Sequence, residues 1–368
     1  MNEKTQPCTH CGAVHPRVNL TWMGSAELCP ECLQRYTVCC DCCGERIWMA
    51  NDYGTHYLHL CASCRADNYV TCENCGALIP QEDAHYNDED EAYCDSCYER
   101  GYGGTIHNYS YKPEPIFYGD GPLYLGVELE VDEAGKDNIN AVQALRAFNQ
   151  ENVYGYVKSD GSLNDGFELV THPCTLETHL QQVPWRETLE ALRGMGYRSH
   201  APGTCGLHVH VSRKALGKDV YEQEETIAKL LYIFERFRQE ILRFSRRTES
   251  QINHWAARYG YKDRGEEILK EAKHGANGRY ACINLTNTDT IEFRVFRGTL
   301  KYNTVIATLQ FVANLCRVAI SLPEYRIQEF SWPALIEALT QDNCPELVQY
   351  LKERNLYVNE PVTAEREV

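Results

Sequence analysis

The 368 residues are 43% apolar and 24% charged, a composition typical of a folded globular protein with two or so domains. The net charge of −16 argues against binding to a nucleic-acid backbone, because such proteins carry basic patches. No basic segment followed by an apolar one begins the chain, so we expect a cytoplasmic protein. Residues 305–322 form the most apolar stretch, but polar side chains interrupt it, and we expect a buried helix rather than a membrane span.

Fourteen of the 19 cysteines lie before residue 98, and they follow a repeat of 32 residues. Each unit begins with a C-x-x-C motif followed directly by glycine, and a second C-x-x-C motif closes it. This spacing predicts three zinc ribbons at about 5–36, 37–68 and 69–98, each with a four-cysteine site. The twelve predicted zinc ligands are Cys8, Cys11, Cys29, Cys32, Cys40, Cys43, Cys61, Cys64, Cys72, Cys75, Cys94 and Cys97.

Zinc would stabilise units too small to bury a sufficient core, since a structural site contributes about 10–16 kcal/mol. A disulfide-rich secreted module is the alternative, and the missing signal peptide and the C-x-x-C pairing disfavour it. Cys39 and Cys42 form a competing C-x-x-C motif in a second frame. The repeat favours Cys40 and Cys43, because the glycine at 44 then matches the other units, although ligand exchange stays open.

Residues 99–121 are rich in Gly, Tyr and Pro and lack apolar periodicity, which predicts a linker. We therefore expect the ribbons over 1–98, a catalytic domain over 122–358 and a C-terminal tail over 359–368.

Three segments beyond the linker place polar side chains two residues apart in apolar surroundings: 126–131, 206–211 and 290–295. A strand alternates its faces with period two, so each pair shares one face while the apolar residues between point to the core. The pairs are Glu128 with Glu130, His208 with His210, and Glu292 with Arg294.

Apolar periodicity predicts helices over 138–150, 175–196, 219–247, 303–321 and 333–355, and a turn-linked strand pair over 279–286 and 290–297. This pattern predicts an α+β fold in which helices cover one face of an antiparallel sheet. The other face, which carries the polar pairs, would be open to a ligand.

Carboxylates on that face suit hard cations such as Mg²⁺ or Mn²⁺, and arginines offer planar donors for phosphate or carboxylate oxygens. Metal ligands and arginines facing one cavity are what phosphoryl transfer requires. The candidate metal or phosphate ligands are Glu128, Glu130, Glu168, His208, His210 and Glu292, and the candidate anion-binding groups are Arg279, Arg294 and Arg297.

Each feature alone has a plainer interpretation. An E-x-E strand is more often a solvated face, H-x-H is as often structural, and Arg294 could form a simple ion pair with Glu292. Cys205 lies three residues before His208, a spacing of little specificity for a nucleophile. Asp160 lies in a D-G-S turn and need only be a turn residue. No Walker-type sequence is present, so a P-loop is excluded.

As an ordered set, these segments resemble the amidoligase family of carboxylate–amine ligases, which is related to glutamine synthetase and glutamate–cysteine ligase. The resemblance covers roughly 122–320 and leaves out the ribbons, which would be accessory. It rests on YLGVELEVD, KSDGSL, FELVTHP, CGLHVHVS, RYACINL and TIEFRVFRGT.

The resemblance implies a glutamine synthetase-like antiparallel sheet whose concave face holds ATP and Mg²⁺ or Mn²⁺. ATP would phosphorylate a substrate carboxylate, and an amine would then displace phosphate from the acyl phosphate. By position, the four glutamates would hold metal ions that bridge the ATP phosphates, with a histidine in the metal or phosphate shell. The three arginines would neutralise the transferring phosphoryl group or bind the substrate carboxylate, and Asp160 would contact the amine side.

Two other functions stay open from sequence alone. A metal-dependent hydrolase or oxygenase could use His208, His210 and a glutamate, although the arginines argue against it. A zinc-ribbon adaptor with a degenerate ligase domain is disfavoured by the retained carboxylates. For the ribbons, the acidic surface and the linker predict a role in stability and in presenting a protein or peptide substrate. Amino acids, peptides and proteins all fit as substrates, whereas nucleic acid and membrane are not expected as partners.

Overall fold

The computed structural model describes residues 5–87, 90–99, 104–274 and 278–357. The chain divides into two compact units, 1–104 and 105–368. The predicted C-terminal tail, 359–368, lies outside the described residues.

In the first unit, a short antiparallel hairpin, a 3₁₀ turn and a short helix occur three times, and a second hairpin is present in the first and third repeats. Its strands are β1 (Thr5–Pro7), β2 (Val14–Pro16), β3 (Thr21–Met23), β4 (Ala26–Leu28), β5 (Thr37–Cys39), β6 (Arg46–Trp48), β7 (Tyr69–Thr71), β8 (Leu78–Pro80), β9 (His85–Tyr86) and β10 (Ala92–Tyr93). Its α-helices are α1 (Pro30–Tyr36), α2 (Ala62–Asn68) and α3 (Asp95–Glu99). Its 3₁₀ turns are Arg17–Asn19, Met49–Asn51 and Gln81–Asp83.

The second unit is a mixed α/β structure around one large sheet. Its strands are β11 (Ile106–His107), β12 (Tyr124–Val131), β13 (Gly155–Lys158), β14 (Phe167–Thr171), β15 (Cys174–Thr175), β16 (Gly206–Ser212), β17 (Ile283–Asn284) and β18 (Thr290–Arg297). Its helices are α4 (Asn138–Phe148), α5 (Leu176–Gln181), α6 (Trp185–Gly194), a 3₁₀ turn (Arg213–Leu216), α7 (Val220–Arg236), α8 (Arg238–Ser245), α9 (Glu249–Trp255), α10 (Gly265–His274), α11 (Tyr302–Ser321), α12 (Glu324–Glu329), α13 (Trp332–Leu339) and α14 (Pro345–Glu353).

The large sheet has eight strands in the order β11-β13-β14-β12-β16-β18-β17, with β15 paired to the start of β12. These pairings are antiparallel except for β11 with β13, so the predicted antiparallel sheet with helices is confirmed in outline. The three strands that carry the polar pairs, β12, β16 and β18, lie side by side at its centre.

The apolar residues of these central strands form the core, as their alternation predicts. They are all buried: Leu125, Val127, Leu129, Val131, Leu207, Val209, Val211, Ile291, Phe293 and Val295. Helix α11 lies against β16, and Phe234 of α7 contacts Phe293 of β18 with 5.6 Å between ring centroids. Burial of this continuous apolar layer, at about 25 cal/mol per Å², is the main source of stability of the unit.

Helix α11 covers the most apolar stretch of the sequence. By length and composition alone this helix could cross a membrane, but 83% of its most apolar 18-residue segment is buried inside the protein. This burial is the property of a core helix, as predicted for residues 305–322.

A buried histidine joins helix α5 to the sheet. His179 lies with its Nε2 atom 3.0 Å from the carbonyl oxygen of Leu125, and the indole N–H of Trp185 donates to its Nδ1 atom over 3.3 Å. Burial lowers the pKa of His179 to about 4, because a charged imidazole would lose its hydration there. His179 is therefore neutral in the folded protein near neutral pH.

Several elements differ from the sequence expectations. The predicted helices over 175–196, 219–247 and 333–355 are each divided in two, and α9, α10 and α12 were not predicted. Part of the predicted linker 99–121 belongs to the second unit, because β11 pairs in parallel with β13 at the edge of the sheet. A two-residue strand is too short to leave an apolar pattern in the sequence.

Candidate functional site

Each ribbon brings its four predicted cysteines together within 4.8 Å of one another. One sulfur pair in each ribbon is 3.8 Å apart: Cys11–Cys29, Cys43–Cys61 and Cys75–Cys94. Tetrahedral zinc with Zn–S bonds of about 2.3 Å requires sulfur atoms about 3.8 Å apart, whereas a disulfide requires about 2 Å. The geometry therefore fits three structural zinc sites and not disulfides.

The backbone of the ribbons also fits metal-bound thiolates. The glycines after the first C-x-x-C motifs, Gly12, Gly44 and Gly76, all have positive φ, which turns the chain around each knuckle. Backbone N–H groups of Cys61 and Cys43 lower the pKa of Cys40 to about 6 against the opposing effect of burial. Cys39 and Cys42 are exposed and lie outside the four-sulfur set of their ribbon.

In the second unit, strand register aligns the polar residues in rows across the central strands. The rows are Lys158–Glu168–Glu130, Glu128–His208, and Asn284–Glu292–His210. Four carboxylates predicted from sequence and both histidines are thus brought to one face of the sheet.

Glu128 is the centre of this carboxylate cluster. One carboxylate oxygen lies 3.1 Å from Nε2 of His210 and the other lies 3.3 Å from Nδ1 of His208. Ligand atoms of Glu128, His210 and Glu292 lie within 4.8 Å of one another, and so do those of Glu128, Glu168 and His208. Two oxygens and a nitrogen at this spacing fit a divalent cation such as Mg²⁺ or Mn²⁺ in either group.

The pKa values of the carboxylates on this face are shifted in opposite directions by burial and by neighbouring charges. Burial raises the pKa of Glu168 well above its usual range, and the charge of Glu128 raises it further. Burial would also raise the pKa of Glu128, but the nearby His210 and His208 outweigh it and hold that pKa well below its usual range. The pKa of Glu130 is raised, again chiefly by burial. A bound cation would relieve this repulsion.

Polar partners hold the outer carboxylates of the cluster. Nζ of Lys158 lies 3.3 Å from Glu168, Asn284 donates to Glu292 over 2.7 Å, and Arg294 also donates to Glu292. Lys158 and Asn284 were not assigned from sequence, although both lie in segments that carry the family resemblance. The strand register places Lys158 opposite Glu168 and Asn284 opposite Glu292, and this register is not readable from the sequence alone.

A second group, which we call the arginine cluster, consists of Arg246, Arg247, Arg294 and Arg297, and two of its members, Arg247 and Arg294, interact with the charge of Glu130. Burial lowers the pKa of Arg247 to about 10. The charge of Glu130 opposes this shift, whereas the charges of the other three arginines add to it. Its Nε and Nη1 atoms are buried and have no hydrogen-bond partner in the described part of the chain. Buried guanidinium donors without partners are suited to an anion.

Gly206 leaves space for the side chains of His208 and Arg247. A Cβ atom at this position would lie 2.4 Å from Nε2 of His208 and 3.1 Å from Nη2 of Arg247. The N–H of Gly206 also donates to the carboxylate of Glu130. The glycine therefore lets the histidine and the arginine approach the same carboxylate.

Arg297 reaches this face because of a β-bulge. Strict alternation would place Arg297 with Phe293 and Val295 on the core face. The pairing of β16 with β18 shifts between Leu207 and Val209, and Arg297 then lies opposite Gly206. The predicted anion-binding residue thereby lies on the same face of the sheet as Gly206, whose N–H donates to Glu130.

Arg279 lies at the exposed rim rather than among the carboxylates. It donates to the hydroxyl groups of Tyr109 and Tyr280, and the latter bond is 3.0 Å long. Tyr109 comes from the predicted linker, and its ring centroid lies 5.7 Å from Nζ of Lys158. Tyr280 has Arg294 over its ring at 5.9 Å. Arg279 thus joins residues from the two edges of the sheet above the cluster.

Asp160 accepts hydrogen bonds from the backbone and side chain of Ser162, as a turn residue would. Its charge nevertheless raises the pKa of both Glu130 and Glu168, which places it near them. Its loop is held by the fully buried Asp132, which accepts from the N–H groups of residues 133, 164 and 165 and from the hydroxyl of residue 204. Asp132 was not assigned from sequence.

Cys205 is buried, and burial raises the pKa of its thiol to about 12. A nucleophilic cysteine requires a lowered pKa, so this geometry gives no support to the nucleophile interpretation.

Residues 144–316 match the model of a family described as "Putative amidoligase enzyme". The matched segment contains the site residues of β14, β16 and β18 but not β12, which carries Glu128 and Glu130. A comparison with curated proteins finds no match.

Two solved structures show distant likeness. A bifunctional glutathione synthetase from Pasteurella multocida is 15% identical, with a TM-score of 0.31 over 63% of this chain and 46% of that chain. The complex of the prokaryotic ubiquitin-like protein Pup with its ligase PafA is 10% identical, with a TM-score of 0.30 over 63% and 62%. The chain thus spans less than two thirds of either protein, and likenesses this low carry no argument.

Proposed function

Because residues 144–316 match the model of a family described as amidoligase enzymes, we propose that the chain is an ATP- and Mg²⁺-dependent ligase that joins a carboxylate to an amine. The observation that carries this proposal is the contact of two complementary groups on one sheet face. A carboxylate and histidine cluster centred on Glu128 suits a cation, and the adjoining arginine cluster has buried donors free for an anion. We also propose that the sheet is that of a glutamine synthetase-like catalytic domain.

The carboxylate cluster would hold Mg²⁺ or Mn²⁺ through Glu128, Glu168, Glu292 and the two histidines. When bound, the cation would offset the charge of the ATP phosphates and make the γ-phosphorus more electrophilic. Lys158 would keep Glu168 oriented, and Asn284 would do the same for Glu292. Outer partners of this kind fix ligand orientation.

The first step would activate a carboxylate, which is a poor electrophile at neutral pH. One of its oxygens attacks the γ-phosphorus of ATP, the bond to the bridging oxygen breaks, and ADP leaves. Two anions must approach each other, so the barrier depends on fixed positive charge near the reacting atoms. Arg247, Arg294 and Arg297 would supply it, with Arg279 at the rim.

The second step would form the amide. The amine nitrogen attacks the acyl carbon of the acyl phosphate, the carbon–oxygen bond to phosphate breaks, and the nitrogen loses a proton. Asp160 lies near Glu130 and Glu168, and we place the amine at this end of the cluster. A carboxylate here can attract the ammonium form and take up the proton.

The test is ADP release by the full-length protein with Mg²⁺ and ATP, with N-acetylated amino acids as the carboxylates and hydroxylamine as a general amine. ADP should form only when a carboxylate and an amine are both present. Glu128→Gln combined with Glu292→Gln should abolish it, whereas exposed Glu177→Gln should not. Unchanged turnover in the double variant would remove the assigned site.

The hydrolase or oxygenase alternative gains no support from the site, because neither chemistry needs the unpaired donors of the arginine cluster.

For the ribbons we propose structural zinc and presentation of an amino-acid, peptide or protein substrate. Their nearby thiols would stay reduced in the cytoplasm, where we place the protein. Loss of zinc without loss of the ribbon fold would argue against the structural role.

A further inference from the structure

A cleft of about 1470 Å³ lies apart from the carboxylate cluster, between helices α6 and α14. It is also lined by the loop 197–201 and by residues 299–304 at the start of α11. Its volume exceeds the roughly 300–1,000 Å³ that small-molecule sites usually have. The cleft therefore has room for an extended ligand.

The charge of this cleft is opposite to that of the chain. Among its lining residues, six are Lys or Arg and three are Glu, whereas the chain has 36 Lys and Arg against 52 Asp and Glu. Two of the three carboxylates already have partners: Glu346 accepts from Gln310 over 2.8 Å, and Glu353 lies 2.8 Å from Lys301. The positive charge that remains uncompensated in the cleft is therefore carried by arginines.

Two arginines of the cleft lining, Arg246 and Arg354, lie near His200, which also lines the cleft. Nη1 of Arg246 lies 3.4 Å from Nδ1 of His200, and the Nε of Arg246 is buried and has no partner among the described residues. Burial lowers the pKa of His200, and the charges of Arg297, Arg246 and Arg354 lower it further. Nearby guanidinium groups repel one another, so an anion is the partner that this place favours.

The outer part of the cleft adds exposed arginines and apolar walls. Arg186 lies over the ring of Tyr302 with 4.1 Å between its Cζ atom and the ring centroid, and exposed Arg193 is on the same helix. Leu189 and Leu300 line the cleft between the charges. Positive groups separated by apolar surface suit carboxylates spaced along a chain better than a dense row of phosphates.

We infer that the cleft between α6 and α14 binds an acidic peptide, whose carboxylates pair with the arginines around His200 and along α6. A nucleic acid fits less well, because the cleft retains Glu190 and the chain carries a net charge of −16. The cleft also adjoins the proposed active site. Ser199 in its wall donates to the carbonyl of Glu130, and Arg246 donates to the carbonyl of Arg297.

The test measures binding of a fluorescein-labelled oligoglutamate peptide to the full-length protein by fluorescence anisotropy, without ATP. Arg186→Glu combined with Arg193→Glu should weaken binding about tenfold, because two exposed charges that would attract the peptide are reversed. The matched control, Arg264→Glu with Arg326→Glu, reverses two exposed arginines elsewhere and should change it less than about twofold. Added salt should weaken binding to the wild type.

Equal binding by both double variants, or no binding by the wild type, would overturn the inference. Tripolyphosphate that binds at the cleft when the peptide does not would also overturn it, in favour of a phosphate-bearing ligand. Because the readout is binding alone, this result is separate from the outcome of the ADP assay for the proposed ligase.

Discussion

Replacing Glu128 by glutamine should strongly weaken divalent-cation binding to the sheet face. Glu128 belongs to both candidate ligand groups and contacts both histidines, so this substitution removes one negative charge from either possible cation position. Two unit charges about 4 Å apart interact by about 4 kcal/mol at an effective dielectric constant of about 20, and the double charge of Mn²⁺ increases this energy. The expected loss in Mn²⁺ affinity is therefore at least on the order of 10³-fold.

The assay is titration of the protein with Mn²⁺, following free Mn²⁺ by electron paramagnetic resonance while the zinc sites stay loaded. Glu177→Gln provides the matched control, because this exposed glutamate on α5 should leave the affinity unchanged. Circular dichroism would establish that both variants are folded. A loss below about tenfold for Glu128→Gln would refute the assignment of Glu128 as the central ligand.

Three further predictions concern other parts of the chain. Metal analysis should find three zinc ions per chain, reduced to two by Cys40→Ser and unchanged by Cys42→Ser; equal zinc loss in both variants would contradict the ligand frame. Gly206→Ala should weaken Mn²⁺ binding at least about tenfold through the displaced histidine ring, whereas Gly126→Ala, whose Cβ would meet only an ordinary contact at 3.5 Å, should be tolerated. The pKa of His179 is about 4 in the folded protein, below its unfolded value of about 6.5, so its contribution to stability is full above pH ~6.5 and falls by about 3 kcal/mol toward pH 4. The thermal midpoint of His179→Gln should depend less on pH across this window, and an unchanged pH profile would contradict the assignment.

The parts of the site that were predictable from sequence are those that strand alternation determines. The pairs Glu128–Glu130 and His208–His210 share a face because period two is built into any strand. The ribbon ligands were equally predictable, since zinc requires fixed cysteine spacings. Local rules of this kind need no knowledge of which elements are neighbours.

Residues whose role depends on tertiary contacts were missed. Arg247 follows α8 and belongs to no periodic pattern; the positive φ of Arg246, +65°, turns the chain there, and burial against β16 creates its site. The role of Lys158 depends on its pairing with Glu168 across β13 and β14. The β-bulge that redirects Arg297 has no signature in one sequence, because it depends on how two strands pair. Register and burial are properties of the folded chain.

The most direct test of the proposed ligase is calorimetric titration of a non-hydrolysable ATP analogue into the full-length, zinc-loaded protein with and without Mg²⁺. The analogue should bind only with Mg²⁺, and Arg247→Gln should weaken binding by roughly tenfold or more through loss of a charged contact to phosphate. Nucleotide binding that is absent, or that is independent of Mg²⁺ and of Arg247, would contradict a metal and phosphate site on this face of the sheet.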